Sequence, residues 1–151
     1  KFLSEFYDTI TKSFPNFVVS ANSENELSLD LLGFEKDGSF AKVYKGTYQG
    51  QSFAIKEIKL FLDEVQGIMQ NQIELNAIIA ELKIMSKIKH SNIPRLFGII
   101  FNQENYKLKF LLQFVEGNSL KELIIQKQQH LNWNYYQKLW IAYKLSKILT
   151  Y

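Results

Sequence analysis

Residues 41–48 and 51–58 are two runs with apolar, aromatic and β-branched positions, and the polar Gln49-Gly50 separates them. A period of two suits a half-buried strand, because successive side chains point to opposite faces of a sheet. AKVYKGTY and QSFAIKEI therefore read as two strands, with Gly50 supplying the tight turn between them. SLDLLGF, just upstream, reads as another strand. From about Asn71 to Ile88 the period lengthens. Ile73, Ala77, Ala80, Ile84 and Ile88 recur three or four apart and predict one apolar helix stripe, expected to face the sheet. HSNIP then ends the helix, since a residue before proline resists helical geometry. RLFGIIF and LKFLLQF predict two further strands joined by the polar NQENY. Gly117 and Asn118 break the chain, SLKELI predicts a short helix, and Trp133, Leu139, Trp140, Tyr143, Ile148 and Tyr151 predict a longer one. The order β-β-β-α-β-β-α-α implies an α+β fold, an antiparallel sheet packed on one helix.

Ahead of these elements, Phe2, Leu3, Phe6 and Ile10 share one helix face. Pro15 and the polar SANSENE stretch then interrupt the pattern, so residues 1–26 read as a flanking or linker segment. Composition narrows the function classes. A chain of 151 residues can bury one core, and an aromatic content of 15% argues for an ordered one. Net charge is only +3, the basic residues are dispersed, and Arg95 is the sole arginine, so no nucleic-acid partner is expected. The absence of cysteine excludes disulfides and thiolate metal sites and leans towards an intracellular, cytoplasmic setting. His90 and His130 are far apart in sequence, so no metal site is expected from them. No apolar run approaches the roughly 20 residues that span a bilayer, and the first residues do not resemble a secretion signal. Membrane attachment of a longer protein is left open.

One residue sits awkwardly in this pattern. Lys56 shares a strand face with Ala54 and Ile58. An ammonium group among apolar neighbours needs an anion, and a buried pair that loses one partner costs roughly 3–5 kcal/mol. The following helix offers Glu81, beside the apolar stripe and one turn before Ile84 and Met85. Upstream, GSFAKV places a glycine and small residues at a strand-to-strand turn, where backbone amides can approach phosphate oxygens. Ala54 leaves room for a flat ring. Lysine, glycine turn and small residue together suggest a nucleotide-phosphate clamp, and the absence of GxxxxGK[ST] excludes a P-loop.

These residues, in this order, resemble the first half of a eukaryotic protein-kinase domain, nearest in flavour to the tyrosine-kinase-like serine/threonine group. GSFAKVYKG resembles the glycine-rich loop and second strand, FAIK the lysine strand, and AELKIMSKIKHSNIPRLFGI helix C with its HxN turn and fourth strand. FLLQFVEGNSLKELI resembles the fifth strand, hinge and helix D, and WNYYQKLWIAYKLSKILTY helix E. The likeness runs over about residues 29–151. It implies an N-lobe at 27–112 with a five-stranded antiparallel sheet and helix C, a hinge at 113–118 and the start of a C-lobe at 119–151. It further implies ATP and magnesium as cofactors and protein substrates as partners, with serine, threonine or tyrosine as phosphoacceptor.

Carried over by motif, Lys56 matches the lysine on the α- and β-phosphates and Glu81 its helix C partner. Gly38, Ser39, Phe40 and Val43 match the loop over ATP, and Ala54 the adenine ceiling. Leu112 takes the gatekeeper position, Gln113 and Val115 the hinge backbone contacts, and Ser119 a ribose contact. The family's GxGxxG reads here as KDGSFA, with Lys36 and Ala41 at the first and third glycines, unless Gly33 is the first glycine and the loop carries an insertion. The chain ends at Tyr151, where the resemblance would continue into the HRD loop and the DFG magnesium aspartate. A fragment inactive alone is therefore expected, with magnesium ligands beyond it.

Two rival readings accompany this one: a pseudokinase or scaffold signalling through helix C, and a small α+β interaction module complete at 151 residues. Within the family pattern His90 is a structural turn residue and not a catalytic one. Trp133, Tyr135, Tyr136, Trp140 and Tyr143 read as helical core packing in preference to a base-stacking platform.

Overall fold

The computed structural model describes residues 2–19, 27–29, 41–60, 67–102, 107–122 and 134–150. The chain divides into two compact units, Lys1–Lys89 with Pro94–Phe114, and His90–Ile93 with Val115–Tyr151. The first unit is built on an antiparallel sheet of strands β1 (Leu27–Leu29), β2 (Ala41–Tyr48), β3 (Gln51–Lys59), β4 (Leu96–Asn102) and β5 (Lys107–Gln113), in the order β1-β2-β3-β5-β4. Of SLDLLGF, the part after Leu29 lies outside the described residues.

The β2–β3 hairpin follows from its turn. Gln49 and Gly50 have φ of 49° and 75°, the left-handed pair that a two-residue hairpin loop needs to match strand twist. Register then runs from Tyr48↔Gln51 to Ala41↔Ile58. A Cβ at Gly50 would meet nothing within 4 Å, so the demand for glycine there is conformational and not steric. β5 lies between β3 and β4, and Leu108, Lys109, Phe110 and Leu111 are all buried, as a strand covered on both faces requires.

Pairing assigns the two faces. Ile58, Leu96, Ile99, Phe101, Leu108 and Phe110 belong to one core cluster, which helix α2 (Gly67–Lys87) joins through Leu75 and Leu82. Phe53, Ile55, Ile100 and Leu111 form a smaller cluster with Val19, Leu27, Tyr44 and Tyr48.

Two expectations are corrected in the first unit. The stripe Ile73, Ala77, Ala80, Ile84 and Ile88 does not face the sheet: Ile73 and Ile84 are 58% and 60% exposed, whereas Leu75 and Leu82 are buried and Ile78, Ile79 and Met85 pack beside them. The helix is apolar on more than one side, so three-to-four spacing fits two stripes equally well, and only the packing partner chooses between them. The helix also starts earlier than expected, at Gly67.

The second correction concerns the supposed flank. Helix α1 (Phe2–Ser13) buries Phe6 and Ile10, followed by Phe14, in the same cluster as α2. The side chains of Phe2 and Leu3 lie outside the described set. The helix stops before Pro15, and the chain then runs alongside β4. The Val19 amide donates to the Ile99 carbonyl at 2.9 Å, and the Ile99 amide to the Phe17 carbonyl at 2.7 Å, a parallel bridge centred on Val18↔Ile99. Most of the segment is therefore part of the first unit. Amphipathic spacing was visible in it, but its distant partners were not.

In the second unit, helix α3 (Tyr135–Leu149) opens with a capping box. Asn134 Oδ1 accepts from the Gln137 amide at 2.8 Å, and Gln137 Oε1 accepts from the Asn134 amide at 3.2 Å. No described side chain of α3 is buried. Tyr135, Tyr136, Trp140 and Tyr143 are exposed, which corrects the expectation of core packing, and Trp133 lies outside the described residues.

Candidate functional site

β3 runs between β2 and β5, and its register sets the surroundings of its lysine. Lys56 stands opposite Val43 on β2 and Phe110 on β5; two residues earlier Ala54 stands opposite Lys45 and Leu112. Paired residues share a face, so Val43, Ala54, Lys56, Phe110 and Leu112 line one side of the sheet. It is the side of the main core cluster, to which Phe110 belongs and against which Leu112 packs.

On that side Lys56 meets α2. Its Nζ donates to Glu81 Oε1 at 2.6 Å, and lies 5.8 Å from the centroid of the Phe110 ring, within cation–π reach. Glu81 comes one residue before the fully buried Leu82, and three and four residues from the inward Ile78 and Met85. Its position follows from the stripe that packs, not the one that sequence spacing suggested.

The pair is less enclosed than the sequence implied. Side-chain exposure is 24% for Lys56 and 39% for Glu81. An ion pair with this access to water is worth about 1 kcal/mol or less, not the cost of a buried pair. Its main effect is positional: it aims an ammonium group at a place reached by solvent and ties a helix to a strand. Lys109 makes the contrast. It is buried, and its Nζ lies 3.8 Å from Glu57 Oε2, while Lys107 Nζ lies 3.2 Å from Glu57 Oε1. That cluster joins adjacent strands of one sheet, so burial alone would have selected the wrong lysine.

Gln113 is held at the β4 side of the sheet. Its amide donates to the Arg95 carbonyl at 2.8 Å, and its Oε1 accepts from the Arg95 amide at 3.4 Å. In the second unit Val115 is exposed. Ser119 caps the helical turn at 120–122: its amide and Oγ donate to Glu122 Oε2 at 2.7 and 2.8 Å, and its Oγ accepts from the Glu122 amide at 3.2 Å. Gly38, Ser39 and Phe40, with Gly33 and Lys36, lie outside the described residues. His90 Nδ1 accepts from the Asn92 amide at 3.1 Å and the His90 carbonyl from the Ile93 amide at 3.1 Å, the geometry of a turn-forming histidine. Sequence reasoning missed Phe110 beneath the ammonium group. The strand LKFLLQF was visible, but not that it pairs with β3.

A family model described as protein tyrosine and serine/threonine kinase matches residues 33–151. The chain belongs to the protein-kinase family. Within that family it is 35% identical over 103 residues to a probable serine/threonine-protein kinase of Dictyostelium discoideum, covering 68% of this chain and 10% of that one. A probable leucine-rich repeat receptor-like protein kinase of Arabidopsis thaliana is 31% identical over 116 residues, covering 76% and 11%. A mitogen-activated protein kinase kinase kinase of Drosophila melanogaster is 30% identical over 105 residues, covering 68% and 8%. The match thus spans about a tenth of the length of these kinases. The five-stranded sheet with α2 is the arrangement expected of a kinase N-lobe. Among the described residues, no helix is long and apolar enough to cross a membrane, and no three His, Cys, Asp or Glu side chains are grouped to hold a metal ion.

Proposed function

We propose that this chain supplies the ATP-binding part of a protein kinase that phosphorylates serine or threonine, or tyrosine, in protein substrates inside the cell, in the cytoplasm. The carrying observation is the 2.6 Å pair between Lys56 and Glu81 on two separate elements. Held by Glu81, the Lys56 ammonium would neutralise the α- and β-phosphates, and preorganised charge of this kind is the main catalytic resource in phosphoryl transfer. The residues fit a nucleotide: Ala54, a short side chain opposite Leu112, would lie over adenine, with Val43 on the same face and Leu112 as gatekeeper. The Gln113 amide already donates to Arg95, so a base contact from Gln113 would use its carbonyl. Roles for Gly38, Ser39 and Phe40 over the phosphates, for the Val115 backbone at adenine and for Ser119 at ribose rest on motif position alone. Magnesium would be held by residues outside the described set.

The test is nucleotide titration by calorimetry on the full-length protein. Lys56→Met is expected to weaken binding of an ATP analogue by about tenfold or more, while thermal stability changes by no more than the pair's ~1 kcal/mol. Equal affinity in the mutant would remove Lys56 from the site. A second reading, a scaffold that binds nucleotide without turnover, is motivated by Lys36 and Ala41 at the glycine positions. Binding without phosphoryl transfer to any protein substrate would favour it.

A further inference from the structure

We propose that α1 and the Phe17–Val19 bridge act as a brace that positions Glu81, so that the segment ahead of the kinase match sets how well Lys56 is held. The inference rests on the nucleotide reading of Lys56 and adds a positioning role for Phe6, Ile10 and Phe14. Three observations carry it. Phe6, Ile10 and Phe14 are at most 5% exposed and share one buried cluster with Leu75 and Leu82 of α2. Leu82 is the immediate neighbour of Glu81, so whatever fixes Leu82 fixes the carboxylate. The same segment is tied to β4 at two places: Tyr7 stacks on Phe101 with centroids 5.4 Å apart, and residues 17–19 bridge to Ile99 through two backbone hydrogen bonds.

Gly98 shows that the bridge is a fitted contact. A Cβ there would lie 2.8 Å from Val19 Cγ2 and 3.3 Å from Leu111 Cδ1. The approach of the segment to β4 therefore depends on a missing side chain in the strand that receives it. The Lys56–Glu81 pair is too exposed to hold a helix by itself, so α2 depends on the apolar cluster that Leu75 and Leu82 share with Phe6, Ile10 and Phe14.

The experiment uses the full-length protein carrying Tyr7→Ala, Ile10→Ala or Ile10→Leu. Amide hydrogen exchange is read separately over 67–87 and 107–113, together with the acylation rate of the Lys56 amine. Ile10→Ala is expected to speed exchange in α2 by about tenfold while β5 is unchanged, because local opening needs less free energy than global unfolding. Lys56 acylation should rise with it, and Ile10→Leu should restore both. Tyr7→Ala, at a half-buried position, should give the same pattern more weakly, and it decides the matter if Ile10→Ala does not fold. Equal acceleration in α2 and β5 would reduce α1 to general core packing and overturn the brace; unchanged α2 exchange and Lys56 acylation would overturn it too. These readouts need no nucleotide. A wild-type protein that fails to bind ATP would therefore remove the nucleotide reading and leave the brace to be judged by exchange and acylation.

Discussion

Glu81 and Leu82 are adjacent, yet the structure gives them opposite kinds of work. Leu82 is fully buried in the main cluster, so Leu82→Ala is expected to destabilise the fold by about 2–5 kcal/mol in urea denaturation. Glu81→Gln removes a partly solvated charge and should change stability by about 1 kcal/mol or less, while lowering affinity for an ATP analogue as Lys56→Met does. If both substitutions lowered stability alike, the pair would be a structural bridge and not a positioning one. Gly50 shows a third kind of residue effect. With φ at 75° and open space around it, Gly50→Ala should cost about 1 kcal/mol through backbone strain alone. At this scale Lys56, Ala54 and Gly50 were legible in sequence, because their signals are local: alternation, size and turn chemistry. Phe110 under Lys56 was not, because a cross-strand neighbour is defined by pairing.

The elements were easier to find than to orient. All five strands and both long helices of the sequence reading occur, since a period of two or of three to four needs only neighbouring residues. The face α2 presents is a different matter. Exposed Ile73 and Ile84 and buried Leu75 and Leu82 are all apolar, and hydrophobicity does not separate them. Paired substitutions do: Ile73→Lys and Ile84→Lys are expected to leave thermal stability within about 0.5 kcal/mol, as surface changes usually do, and losses as large as that of Leu82→Ala would show that the stripe packs after all. α1 was legible as an amphipathic helix but read as a flank, because nothing within residues 1–26 specifies Leu75, Leu82 or Phe101 as neighbours. The bridge of 17–19 to β4 left only a faint trace, a glycine inside an otherwise apolar strand.

Across the whole molecule, α3 carries an apolar face with Leu139 and Trp140 more than half exposed. Lys144 and Lys147 stand over Trp140 and Tyr143 at 5.2 and 5.6 Å, contacts made within the helix itself. An exposed face of this kind promotes association, so the 151-residue chain is expected to self-associate in sedimentation velocity, and Leu139→Gln with Trp140→Gln should return it towards monomer without altering the stability of the first unit. An unaltered sedimentation profile would exclude that face. The order of motifs along the chain, with no coordinates, determined the kinase family, the antiparallel sheet and the expectation that Lys56 pairs with Glu81, since each motif encodes a local backbone or charge requirement. Tertiary structure alone decided which stripe of α2 is buried, how far water reaches the ion pair, and that residues 2–19 pack on the first unit and bridge to β4. Those outcomes depend on which distant surfaces exclude water from one another, and no stretch of chain contains its own partner.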